Sequence, residues 1–554
     1  MSSAAHAPAT PPQAPFWRVF PWLVVTLQLA WWSLGVWPVI PVEGDEQGVI
    51  FGVQGMLTGD IALLQVRYYY EIQPGAYHVL ATLTRLTGAS VDGVFALATV
   101  LGALAFAFAG AVLLRTVFGW PLGWLVVAML CCQEVTTAGY YLNTSAMAAA
   151  LAVSGVIFSG HTSRGSWAWA GLLLALAGWV RADSLLIAPA CFGLILWQQR
   201  GLRTAIGRTS AIAITATAGV ALFYFLSGTS PLQGASAYAG RDNFSTDLRV
   251  FAEISLQLLS PALLLAALGG TVLLLGQRNF SLLFLTLTGC AASLFFYGAS
   301  LTTPKYFYYF VPFALLPALH LIDVIVRRVR ELPRGITVGT AIIGGLIFAG
   351  DGLLGLRTLQ PRERYFATLP TGLALGQHTR GEKKFELVVG AGELALNADG
   401  FRMRTGAIFG PWCWHREKTL AVANLALLRE QLAHHQETTL LWSGWVPYQL
   451  MTRELFAAGF RPKHAPSKSP IHTYPGPWQN GDRVVHVAFL GYEGSPFQAP
   501  GLAPASLATP RTLFVGDSAR QRVTELDDGR RWQLLSERPE GFISVYERVP
   551  PSTP

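Results

Sequence analysis

Long apolar runs without charged residues dominate residues 21–356 of the chain. The first run, residues 21–40, is long enough for a helix to cross the apolar core of a bilayer. About ten further runs follow, and each predicts a membrane-spanning helix. The pattern therefore predicts an all-α polytopic membrane bundle. The predicted spans lie at roughly residues 21–40, 91–114, 121–138, 144–160, 167–181, 184–198, 209–227, 252–275, 280–298, 307–326 and 336–356.

The pattern changes after about residue 357, where charges become frequent and apolar runs shorten. This change predicts a small soluble α/β or α+β domain over residues 357–554, long enough to bury a core of its own. Residues 1–20, which begin with a stretch rich in Ala and Pro, predict a disordered cytoplasmic tail. Five short segments in the C-terminal domain predict strands, and one predicts a helix. The strands are expected at residues 385–390, 439–442, 484–490, 512–515 and 542–546, and the helix at 420–435.

The composition is that of an integral membrane protein. Apolar residues make up 52% and charged residues 13% of the 554 residues. The mean hydropathy is +0.40, a balance that soluble globular proteins of this size do not show. The net charge of +8 is explained by arginines clustered on one side of the membrane, so no nucleic-acid partner is expected.

These arginines also set the predicted orientation. With a cytoplasmic N-terminus, the later inner loops concentrate arginines, whereas those of the outer loops are spread over more residues. An odd number of spans then places residues 357–554 outside the cytoplasm. We therefore expect a multi-pass protein of the inner (plasma) membrane with a periplasmic or extracytoplasmic C-terminal domain. The inner clusters are Arg200, Arg203 and Arg208, and Arg327, Arg328, Arg330 and Arg334.

The first outer loop, residues 41–90, is too long and too patterned for a connector. It begins with three carboxylates within four residues, Glu43, Asp45 and Glu46. Two helices with one apolar and one polar face are predicted after them, the first ending at Gly59 and the second at Gly88. Such helices are typical of a membrane surface, so the loop predicts a site at the outer edge of the bilayer.

Aromatic and charged residues stand between the two predicted helices of this loop, at Arg67, Tyr68 and Tyr70. Aromatic rings beside charges either stack on sugars or sit at the depth of the lipid headgroups. Both interpretations, a sugar-binding surface and an interfacial tyrosine belt, stay open at this point.

Cations stand at two further outer ends of predicted spans. Arg181 lies in the segment Gly178-Trp179-Val180-Arg181-Ala182-Asp183, and Lys305 in Pro304-Lys305-Tyr306-Phe307-Tyr308. A cation at this depth either binds a phosphate or merely extends from the apolar surface to water.

In this order, these features resemble the first outer loop and later span ends of the GT-C membrane glycosyltransferases. The protein mannosyltransferases and the lipid A aminoarabinose transferases are the most similar in pattern. The resemblance covers roughly residues 20–330. It implies a glycosyltransferase that takes a hexose or pentose from a polyprenyl phosphate and transfers it with inversion at the outer face of the inner membrane. The acceptor is a glycan, a lipid or a protein of the cell envelope.

The resemblance also assigns roles. Asp45 matches the acidic position of the family and is expected to act as general base on the acceptor hydroxyl. Glu46 is the second catalytic candidate, and either Glu46 or Glu43 is expected to assist a metal or to hold the acceptor. Charge that develops on the departing phosphate needs cationic partners. Substrate-binding roles are expected for Glu43, Arg67, Tyr68, Tyr70, Asn143, Arg181, Lys305 and Tyr306.

One segment departs from the family pattern. Many relatives carry a second acidic residue before the fourth span, where this chain has Tyr140 to Ser145 with amides and hydroxyls. A divalent cation prefers several oxygen ligands, at least one of them charged. Asp45, Glu46 or Glu134 would have to supply them, so the metal stays unassigned. No other cofactor is expected.

Two other functions predict different sequence patterns. A transporter or flippase of lipid-linked sugars is expected to show broken or charged segments at mid-membrane and a two-fold repeat, neither of which is evident. An O-antigen ligase or polymerase depends on arginines in a large late loop, whereas the early acidic loop dominates this chain. The sequence does not indicate an oligomeric state.

Overall fold

The computed structural model describes part of the chain. The described residues are 15–36, 44–59, 67–132, 135, 142–198, 201–232, 259, 261–299, 308–331, 384–390, 437–443, 458–462, 476–489, 512–516, 531–538 and 543–549. The chain divides into two compact units. The first comprises residues 1–36, 68–357 and 404–411, and the second comprises residues 37–67, 358–403 and 412–554.

Helices form at ten of the apolar runs, as the pattern predicts. The eleventh predicted span, residues 336–356, lies outside the described residues, so the number of spans stays a prediction. The helices of the first unit are α1 Pro15–Val36, α3 Arg67–Ile72, α4 Pro74–Thr87, α5 Val91–Phe118, α6 Leu122–Leu130, α7 Ser145–Ser159, α8 Arg164–Val180, the 3-10 helix η1 Ala182–Ile187, α9 Pro189–Trp197, α10 Leu202–Leu226, α11 Pro261–Gly276, α12 Phe280–Ala299 and α13 Val311–Arg330; α2 Gly44–Thr58 belongs to the second.

Three described segments are long and apolar enough to cross a membrane, namely Val91–Phe118, Leu202–Leu226 and Tyr308–Val329. Shorter apolar helices, such as Ser145–Ser159 and Gly165–Val180, lie beside them. Helix α1 begins at Pro15, six residues before the predicted start of the first span. Proline is favoured in the first helical turn because its missing N–H has no partner there, so the predicted tail of residues 1–20 ends earlier.

Small residues allow the helices of the first unit to approach closely. A Cβ added at Gly155 of α7 would lie 3.0 Å from Leu174 of α8, and one at Gly102 of α5 would lie 3.0 Å from the backbone of Met147. Close backbone approach through small residues is typical of helices that pack within a membrane. The core between the helices includes Trp32 and Phe106, both fully buried.

The two helices predicted in the first outer loop are present. Helix α2 ends before Gly59, and α4 ends at Gly88, whose φ of 66° is left-handed and whose N–H bonds to the carbonyl of Thr84. Glycine adopts this conformation without steric cost, which explains both ends. Between them, residues Arg67–Ile72 form the short helix α3.

An eight-stranded mixed sheet forms in the second unit, with the order β3-β4-β5-β2-β1-β6-β8-β7. Its centre, β5-β2-β1-β6, is parallel, and the outer pairs are antiparallel. All five predicted strands are present, whereas the helix predicted at residues 420–435 lies outside the described residues. The strands are β1 Lys384–Gly390, β2 Glu437–Ser443, β3 Arg461–Pro462, β4 Gly476–Asn480, β5 Arg483–Phe489, β6 Thr512–Gly516, β7 Arg531–Arg538 and β8 Ile543–Val549.

Candidate functional site

The predicted acidic residues Asp45 and Glu46 lie in the first turn of α2. Carboxylates are favoured there because the N-terminus of a helix carries a partial positive charge. Arg67 and Tyr68 begin α3. The side chains of these four residues are not among those described, and Glu43, Glu134, Lys305 and Tyr306 lie outside the described residues altogether. Their functional roles stay predictions.

Arg181 is placed where helix α8 ends. Its backbone is extended, with φ −160° and ψ 114°, so the chain leaves α8 and begins η1 at the next residue. The side chain is buried, and its Nε donates to both carboxylate oxygens of Asp183, at 2.9 and 3.0 Å. Arg181 is therefore not a cation that extends along an apolar surface to water.

The ion pair between Arg181 and Asp183 is buried, so each charge depends on the other for compensation. The side chains of Arg181 and Asp183 are only 7% and 10% exposed. Two charges removed from water in this way are tolerated because each compensates the other, so Asp183 fixes the position of the guanidinium. The sequence pattern included Asp183 in the motif but gave it no role; the spacing Arg-Ala-Asp at the end of a span was the available signal.

A buried tyrosine adjoins this pair. Tyr309, just before α13, is fully buried and interacts electrostatically with both Asp183 and Arg181. Within the described residues its hydroxyl has no hydrogen-bond partner. A buried hydroxyl without a partner is unfavourable, which marks the Arg181–Asp183 pair as a polar site at the end of a span.

Aromatic and polar side chains surround Trp179, which lies two residues before Arg181. Its indole stacks on the ring of His78, with centroids 5.8 Å apart, and on the ring of Phe223, with centroids 5.3 Å apart. Its Nε1 donates to the hydroxyl of Ser227 at 2.8 Å. Two ring contacts and a hydrogen bond therefore fix the position of Trp179 at the end of α8.

Tyr70 completes this group. Its hydroxyl lies 2.7 Å from the carbonyl oxygen of Ser227 and 3.0 Å from Nε2 of His78, and its ring packs edge-on against Tyr77. Burial raises the pKa of Tyr70, and burial followed by the charge of Arg85 lowers the pKa of His78. The predicted interfacial tyrosine is thus a half-buried member of a hydrogen-bonded network.

The predicted residue Asn143 has a structural role. Its side-chain oxygen accepts a hydrogen bond from the N–H of Ala146 at 3.1 Å in the first turn of α7, and its backbone pairs with Thr99. Next to it, the hydroxyl of Thr144 donates to the side-chain oxygen of Gln73 at 2.6 Å. These bonds attach the start of α7 to the residue that precedes α4, so Asn143 supports the site even where it does not contact substrate.

The structure brings Tyr70 and Arg181 to the same helix end. Tyr70 reaches Trp179 through Ser227 and His78, and Arg181 follows Trp179 by two residues. The hydroxyl of Tyr224 also donates to the carbonyl of Gly178, 3.3 Å away. Residues 178–183, which run from the last turn of α8 into η1, therefore contact both the neutral hydrogen-bonded network and the buried ion pair.

No metal ligands converge in the described parts of the chain, where no three His, Cys, Asp or Glu residues lie together. The carboxylates predicted to hold a divalent cation are not among the described side chains. The donor set of the described site, a guanidinium paired with its own carboxylate, does not suit a cation.

Two solved structures resemble the chain, both of ArnT from Cupriavidus metallidurans. ArnT in the apo state aligns with 12% identity over 96% of this chain and 98% of ArnT, with a TM-score of 0.49. ArnT bound to undecaprenyl phosphate aligns with the same identity and coverage and a TM-score of 0.47. No protein-family model and no curated protein matches the chain. At these scores the likeness carries no inference about function.

Proposed function

We propose that the chain is a membrane glycosyltransferase of the GT-C type. It transfers a sugar, with inversion, from a polyprenyl phosphate donor to a glycan, lipid or protein acceptor at the outer face of the inner membrane. The proposal starts from the order of motifs in the sequence. The structural observation that favours it most is the buried Arg181–Asp183 pair at the end of α8.

A cation fixed at the end of a span suits a lipid phosphate. The polyprenyl chain lies in the bilayer, so its phosphate is confined to the depth at which the spans end. Arg181 is held by a carboxylate instead of extending into water. A guanidinium that is already oriented needs no rearrangement when charge develops on the phosphate in the transition state. Lys305, at a second predicted span end, is proposed to share this charge.

The proposed reaction is a single displacement at the anomeric carbon. The acceptor oxygen forms the new bond to this carbon as the bond from carbon to the phosphate oxygen breaks. The polyprenyl phosphate leaves with the bonding electrons, and the proton of the acceptor hydroxyl moves to the carboxylate of Asp45. Attack opposite the leaving group inverts the anomeric configuration.

Other residues hold the reactants in this proposal. Glu46 and Glu43 position the acceptor or share a divalent cation with Asp45 or Glu134, which would neutralise phosphate charge. Arg67, Tyr68 and Tyr306 contact the donor. Because the hydroxyl of Tyr70 is already bonded to Ser227 and His78, we assign Tyr70 an orienting role and not a direct contact with sugar.

Mass spectrometry of a strain that lacks the gene tests the proposal. Polyprenyl-phosphate-linked sugar should accumulate, and one sugar should be missing from a surface glycan, lipid or protein. Both changes should revert when the wild-type chain is expressed, but not when the Arg181→Ala chain is expressed. If lipid-linked sugar accumulates only on the inner side of the membrane, the chain is a flippase and the enzyme assignment is wrong.

A further inference from the structure

A chain of hydrogen bonds fixes the ring of His78 on helix α4. The carbonyl of Ser227 follows the last turn of α10 and is one of the helix-end acceptors that need a donor from elsewhere. The phenol of Tyr70 lies 2.7 Å from it, and Nε2 of His78 lies 3.0 Å from the same phenol. The hydroxyl of Ser227 donates to the carbonyl of Phe223 at 2.8 Å and accepts from Trp179.

Only one arrangement of protons satisfies these bonds. A carbonyl oxygen can only accept, so the single proton of Tyr70 lies on the bond to Ser227. The phenol oxygen must then accept from His78, and Nε2 of His78 must carry a proton. Burial keeps Tyr70 protonated by raising its pKa, and burial together with Arg85 lowers the pKa of His78, so the imidazole is neutral at pH 7. In a neutral ring with Nε2 protonated, Nδ1 carries a lone pair.

Within the described residues, this lone pair accepts no hydrogen bond. Among the described residues, the only hydrogen-bond contact of the His78 ring is the one to Tyr70. The ring is half-buried, with one face against Trp179. The orientation of this acceptor nitrogen is therefore fixed by stacking and by the bond at the other nitrogen of the ring.

We propose that Nδ1 of His78 accepts a hydrogen bond from a hydroxyl group of the bound sugar substrate, and that Tyr70 positions the ring for this contact. The inference rests on the proposed function and adds a specificity residue to it. A neutral acceptor nitrogen attracts a hydroxyl donor and repels the oxygen lone pairs of a phosphate. The hydroxyl belongs either to the donor sugar or to the acceptor.

Two isosteric variants separate the two nitrogens. In His78→Asn the side-chain oxygen takes the place of Nδ1, so an acceptor is kept and the donor to Tyr70 is lost. In His78→Gln the amide nitrogen takes the place of Nε2, so the donor to Tyr70 is kept and the acceptor at the δ position is lost. A good hydrogen bond from a neutral hydroxyl contributes about 0.5–1.5 kcal/mol, so His78→Gln should lower kcat/KM by about 2- to 13-fold. His78→Asn should retain more activity than His78→Gln.

Transfer is measured in lipid nanodiscs with undecaprenyl phosphate carrying mannose or aminoarabinose, and with lipid A or a serine-containing peptide as acceptor. A rise in the KM of the donor in His78→Gln assigns the hydroxyl to the donor sugar, and a rise in the KM of the acceptor assigns it to the acceptor. Binding of undecaprenyl phosphate without sugar should be unchanged in both variants. His161→Gln, on the predicted inner side, is the matched control and should behave as wild type.

The orienting role of Tyr70 has its own readout. Nitrogen-15 NMR of the wild-type protein should show His78 protonated at Nε2 and unprotonated at Nδ1, and Tyr70→Phe should weaken this preference. Activity of His78→Gln at or above that of His78→Asn, in an active wild-type protein, overturns the inference and leaves the proposed function intact. If the wild-type protein transfers no sugar from either donor, the proposed function fails and the inference fails with it.

Discussion

For the buried pair of Arg181 and Asp183, we predict that substitutions affect the stability of the protein and its transfer activity differently. Removing one partner leaves an uncompensated charge, so Arg181→Met and Asp183→Asn should each destabilise the protein by about 3–5 kcal/mol. The double variant leaves no buried charge and should unfold at a temperature close to that of the wild type. Sugar transfer should be lost wherever Arg181 is absent, because the donor phosphate loses its cation.

Thermal unfolding in detergent and transfer in nanodiscs together check this prediction. Arg327→Met, which removes an exposed arginine of the ion pair with Asp323, is the control and should change neither quantity by much, because exposed pairs contribute about 0–1 kcal/mol. Activity in the double variant close to that of the wild type would show that Arg181 serves only the fold.

The sequence predicts a single site residue when two features coincide: a side chain with the required chemistry, and a position at the end of an apolar run. Arg181 met both conditions. His78 did not, because Tyr70 on α3 and Ser227 after α10 come together only in the folded chain, where the hydrogen bond between them joins residues 157 positions apart. The amide oxygen of Asn143 accepts a hydrogen bond from the N–H of Ala146, and the expected contact of Asn143 with substrate stays a prediction. A polar side chain before a span has both uses, and the local sequence does not distinguish them.

At the scale of elements, the contact between α4 and α8 depends on Gly75. A Cβ at this position would lie 2.6 Å from the indole of Trp179 and 2.7 Å from its carbonyl carbon. Backbone cannot rotate away as a side chain can, so Gly75→Ala must push the two helices apart. We expect a loss of about 1–3 kcal/mol of stability and a drop in activity, since Trp179 supports His78.

Gly165 provides the matched control for this substitution. It is also the second residue of a helix, but nothing lies within 4 Å of an added Cβ. Gly165→Ala should be neutral or slightly stabilising, because alanine favours helix more than glycine does. Equal unfolding temperatures for the two variants in detergent would show that α4 does not pack tightly on α8.

Apolar runs predicted most helices, and segments of alternating apolar and polar residues predicted most strands. Both patterns arise because these residues are buried in lipid or on one face of a sheet. The strands that escaped prediction lack this signature. Strand β7 carries charges at both ends, and β4 begins with Gly476-Pro477. The turn between β4 and β5 did carry a readable signal, since its two loop residues are Gly481 and Asp482, a two-residue loop that begins with glycine is typical of a hairpin, and Gly481 has a φ of 58°.

At the scale of the whole molecule, the predicted topology places residue 205 inside and residue 400 outside. The arginine bias of the inner loops and the odd number of spans are the reasons. Fusions of alkaline phosphatase, active only outside, should be inactive after residue 205 and active after residue 400. A fusion after residue 88 serves as a control and should match the one after residue 400. Equal activity of the fusions after residues 205 and 400 would contradict the predicted topology. The proposed site would then not lie on the outer face, where the donor phosphate is placed.

The proposed transferase activity is tested most directly by measuring the release of undecaprenyl phosphate from its sugar conjugate by the purified protein. Wild type, Asp45→Asn and Glu46→Gln are compared in nanodiscs with undecaprenyl phosphate mannose or aminoarabinose and with lipid A or a serine-containing peptide. An amide keeps the shape of a carboxylate but cannot take a proton, so Asp45→Asn should be slower by about 100-fold or more with an unchanged unfolding temperature. Wild-type rates in both variants would contradict the account.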